Sequence, residues 1–342
     1  MLIPSAFLYV IGFFNLLGIR RGLVINHVIF LLISLCVFWI VRKIGVQYFR
    51  LNSLFFYWLF IALLITTYII GLEAKGSQRW INLYFFNFQA SEFLKIFFIL
   101  FMADFISSNR KLWNDFSFFL MTVFYFALPT ILIFKQPDLG SAMVYIAMYF
   151  TMIFFSGIPR KYLLYLMIIV TLLLPLGWLV LHDYQRTRIV SFFNPHVDQH
   201  NTSYNMTQAI ITVGSGKFIG RGLGLGTQSR LYFLPENHTD FAFSSLVEQF
   251  GFIGGLAVIA LYMWMGFLLF KKILKYYYLA TVEARFKFLM YIGFFAFMVF
   301  QMFVNIGMNL GILPITGITL PLISYGGSSQ LTWMMGLAML AY

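Results

Sequence analysis

The chain is short of charge, of cysteine and of acidic side chains, and each shortage excludes something. Only 10% of its 342 residues are charged, where a soluble globular domain carries about 25%. That is too little polar surface for a fold bathed in water. The one cysteine, Cys36, excludes a disulfide framework and a cysteine-based metal centre. Acidic residues number 11 against 23 basic ones, for a net charge of +12. In so apolar a chain this excess reads as basic loops on a cytoplasmic face, and no nucleic-acid partner is expected. No cleavable leader is expected either. The first apolar segment, Leu2 to Leu17, lacks a basic leading region and a small-residue cleavage site.

What is present is apolar. Hydrophobic residues make up 61% of the sequence, and mean hydropathy is +0.86. About 20 such residues span a bilayer as a helix. Ten spans are expected, at roughly 2–18, 24–41, 54–71, 91–107, 118–134, 140–156, 162–181, 241–270, 288–310 and 327–342. The fold class is an all-α polytopic membrane protein, one integral membrane domain over 1–342, with a large outer loop at 182–240. Basic residues set the orientation. With the N-terminus inside, the inner loops hold twelve of them and the short outer loops five. Both termini are therefore expected in the cytoplasm and the long loop outside, with Arg20-Arg21 as a local exception.

Candidate chemistry lies mostly on the outer side. Leu234-Pro-Glu-Asn-His-Thr-Asp240 ends the long loop, and Phe241 re-enters an apolar run. A carboxylate at that depth is a functional candidate. Glu236 and His238 stand beside it, as orienting groups or as loop structure. Tyr204 to Val213 reads as a short amphipathic helix at the interface. The glycines from Gly214 to Gly226 permit close backbone approach, but they form neither a P-loop nor a dinucleotide fingerprint. Glu92 and Lys95 share one helical face inside the fourth span, as a structural ion pair or as a polar cavity wall. Arg79, beside Trp80, reads as an interfacial anchor or a phosphate contact. Asp138 reads as a helix cap behind Pro137. Arg186 and Arg188 suit an anionic head group or lipid phosphates. His196 and His200 have a zinc-like spacing but read as solvated loop residues. From Asn305 to Ser329, proline and paired glycine interrupt apolar sequence, which implies a re-entrant segment walling a cavity.

Five pieces in order resemble the SEDS family of shape, elongation, division and sporulation proteins, the FtsW/RodA/SpoVE family. They are Lys75-Gly-Ser-Gln-Arg-Trp80 with Gln89-Ala-Ser-Glu-Phe-Leu-Lys95; Gln136-Pro-Asp-Leu-Gly-Ser141; His182-Asp-Tyr-Gln-Arg-Thr-Arg188; Gly226 to Phe241; and Leu320 to Ser329. The third and fourth look more like the family's RodA-like, elongation branch. The resemblance implies ten spans and a peptidoglycan glycosyltransferase that polymerises lipid II on the outer face of the bacterial cytoplasmic membrane. A class B penicillin-binding protein is the implied partner. The family's catalytic aspartate falls on Asp240, and its acidic and lysine pair on Glu92 and Lys95. Two departures are visible. Ala90 stands where the family usually has proline, and the chain stops at Tyr342 without the usual cytoplasmic tail.

The residues suit that chemistry. The attacking sugar hydroxyl needs a base, and a carboxylate within reach suffices. The departing lipid pyrophosphate needs positive charge, for which Lys95, Arg79, Arg186, Arg188 and a divalent cation (Mg or Mn) are candidates. Two other readings stay open at this point. A helical bundle with intramembrane Glu and Lys would also suit a lipid II flippase, and the chain would also serve as a non-catalytic scaffold that activates a transpeptidase.

Overall fold

A computed structural model describes residues 1–74, 77–82, 87–180, 183–194, 202–279 and 281–341. His182, His196 and His200 lie outside these residues. Each expected span coincides with a helix. These are α1 (Leu2–Ile19), α2 (Val24–Ile44), α4 (Ser53–Ile70), α5 (Ala90–Ser108), α6 (Phe116–Lys135), α7 (Leu139–Ser156), α8 (Arg160–Val180), α12 (Ala242–Tyr277), α13 (Val282–Asn309) and α14 (Gly327–Leu340). Among the described residues, seven helices are long and apolar enough to cross a membrane on length and composition alone. Helix α5 is not among them, because Glu92, Lys95 and Asp104 interrupt it. It is instead buried along nearly its whole length.

Between the spans lie pieces that the sequence signals less clearly. A short α3 (Val46–Leu51) joins α2 to α4. The segment before α5 forms a small antiparallel sheet in the order β1-β2-β3, from β1 (Leu72–Ala74), β2 (Ser77–Asn82) and β3 (Asn87–Phe88). It is a local addition to an otherwise helical fold. The long loop carries α9 (Asp183–Phe193), α10 (Thr202–Ser215) and the single turn α11 (Thr227–Arg230). Helix α10 covers the expected amphipathic stretch.

Contacts divide the chain into two compact units. The first comprises Met1–Ser34, His182–Leu268 and Val299–Trp333; the second comprises Leu35–Leu181, Leu269–Met298 and Met334–Tyr342. Helices in lipid gain little from burying apolar surface against each other, so close packing decides their contacts. In the second unit this packing is aromatic. Phe97 of α5 stacks on Phe56 and Phe60 of α4 at 5.0 and 4.7 Å, and Tyr57 stacks on Phe101 at 4.6 Å. In the first unit, Met206 and Ala209 of α10, Leu234, Phe241, Met308 and Ile315 form one buried cluster. That cluster seats the long loop on the ends of α12 and α13.

Helix α12 is not continuous. It breaks at Gly251, whose φ of 70° and ψ of −169° lie in a region open essentially only to glycine. The break strands backbone groups that a membrane protein must pair internally, and the loop before α11 pairs them. Arg221 and Gly222 donate their amides to Glu248 and Gln249 carbonyls at 2.9 and 3.0 Å. Phe252 and Ile253 donate to Lys217 and Phe218 carbonyls at 2.9 and 3.2 Å. The two backbones run so close that a Cβ on Gly220 would fall 2.2 Å from the Gln249 oxygen. The glycine-rich segment is thus a splint for a broken helix.

Gly251→Ala is expected to cost at least about 1–3 kcal/mol through backbone strain, seen as a lowered thermal midpoint of the detergent-solubilised protein. Gly214→Ala is the control. Its added Cβ meets nothing within 4 Å, so its midpoint should hold or rise.

Candidate active site

The loop carrying Asp240 is held by its backbone. The Asn237 carbonyl accepts from Ser245 Oγ at 2.9 Å, and the His238 carbonyl from the Tyr325 amide at 2.8 Å. The Thr239 carbonyl accepts from Ser324 Oγ at 2.6 Å. The Asp240 carbonyl accepts from Asn305 Nδ2 and Asn309 Nδ2, both at 3.0 Å. Asn305 and Asn309 are four residues apart on α13, hence on one face. Both are fully buried. Four consecutive carbonyls therefore have fixed partners from α12, α13 and the irregular segment 310–326.

The Asp240 carboxylate lies beside Gly317, in the irregular segment that follows α13. A Cβ on Gly317 would stand 3.5 Å from Asp240 Oδ2 and 3.9 Å from Arg188 Nη1. Asp240 and Arg188 thus flank the same glycine, each within van der Waals reach of a Cβ placed there. Gly317 itself has φ +74°, a second reason for glycine. Arg188 Nη1 also donates to the Ile315 carbonyl at 3.3 Å, which ties α9 to the same segment. Arg186 sits two residues earlier on α9 and is half-buried.

Glu236 and His238 prove to be parts of the turn. Glu236 has φ +52° and accepts from Thr239 Oγ1 at 3.0 Å. The His238 ring lies 3.3 Å from Asn237 Oδ1 through Nδ1 and 5.8 Å from the Tyr325 ring.

Sequence reasoning passed over Glu248. This carboxylate is fully buried. It accepts from the Gln228 and Ser229 amides at 2.9 Å each, from Ser229 Oγ at 2.5 Å and from Ser215 Oγ at 3.4 Å. It fills the role of a capping side chain for α11. A Cβ on Gly226 would sit 2.6 Å from Glu248 Oε2, so that position must stay bare. Next to it, Gln249 donates to Asn15 Oδ1 at 2.7 Å and accepts from the Gly224 amide at 2.9 Å. The signal was available: an acid inside an apolar run, as at Glu92.

The remaining candidates belong to the second unit. Lys95 is 1% exposed and donates to Glu92 Oε1 at 2.5 Å. Its ammonium also faces the Phe297 ring at 5.7 Å. The other Glu92 oxygen, Oε2, is buried and has no partner among the described residues. Asp138 caps α7 as expected, accepting from the Ser141 amide at 3.1 Å. It also accepts from Gln89 Nε2 at 3.1 Å and pairs with Arg79 at 3.5 Å. Arg79 donates to the Pro137 carbonyl as well. Arg79 and Asp138 thus clasp the turn before α7 to the sheet before α5.

A base beside an arginine suits transfer to a hydroxyl with loss of an anionic group. Among the described residues, no three His, Cys, Asp or Glu side chains converge on a metal site. No step is routed through one.

Comparisons with known proteins agree with the geometry. The family model described as "Cell cycle protein", for FtsW, RodA and SpoVE, matches residues 8–342. The chain is 37% identical to "Peptidoglycan glycosyltransferase MrdB" of Escherichia coli (strain K12) over 82% of this chain and 75% of that protein. It is 32% identical to "Probable peptidoglycan glycosyltransferase FtsW" of Pseudoalteromonas translucida over 90% of this chain and 76% of that protein. Among solved structures it resembles a chain from "Structural coordination of polymerization and crosslinking by a peptidoglycan synthase complex". That match has a TM-score of 0.83 and 27% identity, and covers 99% of this chain and 95% of the other.

The buried pair can be tested for what it does. Lys95→Met alone strands a buried carboxylate and should cost about 3–5 kcal/mol, read as lost monodisperse protein in detergent. Glu92→Leu with Lys95→Met should recover most of that stability. A recovered protein that still cannot form polymer would assign the pair a role in the reaction; recovered activity would leave it a structural pair.

Proposed function

The chain belongs to the FtsW/RodA/SpoVE family, and from that premise we propose that Asp240 is the general base of its transfer reaction. The protein is a membrane-embedded peptidoglycan glycosyltransferase. Its substrate is lipid II, a disaccharide-peptide carried on a polyprenyl pyrophosphate. One observation carries the assignment: the Asp240 carboxylate and the Arg188 guanidinium flank Gly317 in a loop whose carbonyls are all otherwise engaged. The base and the cation needed for this chemistry thus occur together.

In the reaction, the acceptor sugar hydroxyl gives its proton to Asp240 as its oxygen attacks the donor's anomeric carbon. The bond from that carbon to the pyrophosphate breaks, and the leaving group departs as an anion. Arg188, with a planar fork of donors, stabilises the charge that builds there. Pyrophosphate leaves without prior protonation, so a second carboxylic acid is unnecessary, unlike in a glycosidase pair. Arg186, on the same helix, adds positive charge to the approach. Glu236 and His238 serve the turn.

The site faces the outside of the cytoplasmic membrane, and both termini face in. Basic residues support this through their excess in the inner loops. Contacts within each unit support it too, since loops assigned to one side meet each other. Arg50 pairs with Asp104 at 2.7 Å and with Glu283, all at inner ends. Arg20 lies over Tyr232, 4.9 Å from its ring centroid, both in outer loops. The partner is a class B penicillin-binding protein that cross-links the glycan, a reading supported by the likeness to a synthase complex chain. Assignment to elongation rests on the RodA-like motifs, since identities to MrdB relatives (33–37%) and to FtsW relatives (32–36%) overlap.

Purified Asp240→Asn should still fold, because four carbonyls hold the loop, yet form no glycan polymer from lipid II in detergent. A loss of at least about 10²-fold is expected; normal polymer yield would sink the assignment. Arg188→Gln should also fall by about 10²-fold. Polymer formed in detergent by the wild type excludes a flippase without transferase activity, since flipping has no meaning without a bilayer.

A further inference from the structure

The inner end of the second unit holds an arginine with part of its hydrogen-bonding capacity unspent. Arg285, in the first turn of α13, uses Nη2 to donate to the last carbonyls of α7, Phe155 at 3.0 Å and Ser156 at 2.5 Å. Its guanidinium lies between two rings, 5.3 Å from Trp113 and 5.0 Å from Phe288. Its Nε is buried and takes no partner among the described residues. A buried donor of this kind is costly to leave unpaired.

Arg285 also forms the shared wall of two cavities. One, of about 210 Å³, is lined by Ser107, Arg110, Trp113 and Thr281 among others. The other, of about 590 Å³, includes Gly157 and Arg160 in its lining. Three connections meet here: α5 to α6, α7 to α8, and α12 to α13. Each is an inner loop by the charge pattern. Arg110 stacks on the same indole as Arg285, 5.7 Å from the Trp113 ring. Among the described residues neither cavity has an acid in its lining. Of the acids on neighbouring segments, Asp104 and Glu283 pair with Arg50, Glu283 also with Lys287 at 3.5 Å, and Asp115 at the start of α6 lines neither cavity. Gly157 at φ +93° keeps the floor open, since a Cβ there would strike Trp113 at 2.6 Å.

Two arginines on one ring, hydroxyls beside them and no carboxylate form a receptor for a phosphate group. Arginine's planar fork matches phosphate oxygens, and basic pockets between helix ends on this side of a membrane take lipid head groups. We propose that Arg110, Arg285 and Thr281 form a phosphate-binding site at the inner end of α5 and α13, apart from the transfer site. Its ligand carries an exposed phosphate, either the head group of an anionic lipid of the inner leaflet or a soluble pyrophosphate compound. The inner placement rests on the orientation given above; the site itself does not depend on the role of Asp240.

The test uses the full chain, delipidated in detergent, and follows its melting midpoint. It is titrated with short-chain phosphatidylglycerol, with inorganic pyrophosphate and with short-chain phosphatidylcholine. A saturable rise with phosphatidylglycerol alone identifies the lipid source, and an equal rise with pyrophosphate identifies the soluble one. In either case Arg110→Gln should shift the half-saturating concentration upward by about tenfold. Arg42→Gln with Lys43→Gln, basic residues outside the cavities, should not shift it. Because Arg285 also caps α7, Arg110→Gln is the informative variant, and its own unliganded midpoint should match wild type. The proposal is overturned by the absence of a saturable rise with either phosphate probe, by an equal rise with phosphatidylcholine, or by a control variant that loses as much as Arg110→Gln.

Discussion

A backbone amide or carbonyl in an apolar setting must find a partner inside the protein, and the arrangement around Asp240 follows from that demand. The break at Gly251 creates four unpaired groups, and the loop at 217–222 answers them. Once the loop is fixed there, Glu248 can reach its amides further on. The strand of carbonyls from Asn237 to Asp240 then finds its own partners on α12, α13 and the irregular segment after α13. Helix termini, loop and carboxylate form one hydrogen-bonded assembly. The buried cluster that includes Leu234 and Phe241 packs beside it.

The charges divide by how they are used. Glu248 is wholly consumed by amides and hydroxyls, and Asp138 by an amide, an arginine and a glutamine. These carboxylates are hydrogen-bond acceptors in the architecture, and their burial is offset by charge-assisted bonds. At Asp240 the main-chain carbonyl is held by two asparagines, and the side chain stands beside Gly317 with Arg188. Lys95 and Glu92 fall between these cases, since one Glu92 oxygen is bound and the other is buried without a described partner.

Much of this was legible in the sequence, and the parts that were not share a cause. Ten apolar runs gave ten helices because length and hydropathy are local properties. The cap at Asp138 and the pair Glu92–Lys95 were also readable, being separations of three residues. The interruption of α12 was not read, although Gly251 lies in plain view, because a single glycine in an apolar run is compatible with an unbroken helix. Its partners lie some thirty residues upstream, in a glycine-rich loop whose capacity for close backbone approach was read without the partner it approaches. The strands before α5 carry too short a pattern to register. Arg50, Asp104 and Glu283 are far apart in sequence, so only the fold brings them together. Asn305 and Asn309 were noticed as part of an irregular stretch, but their i, i+4 spacing points to one helical face.

That spacing has a mechanical consequence. One helix grips a single carbonyl through two side chains a turn apart, as a clamp with two jaws on one rail. Sliding α13 by a single residue, about 1.5 Å, would carry both jaws off the Asp240 oxygen together. The Asp240 carbonyl is therefore pinned to the register of its helix, and anything that shifts α13 along its axis moves the loop with it.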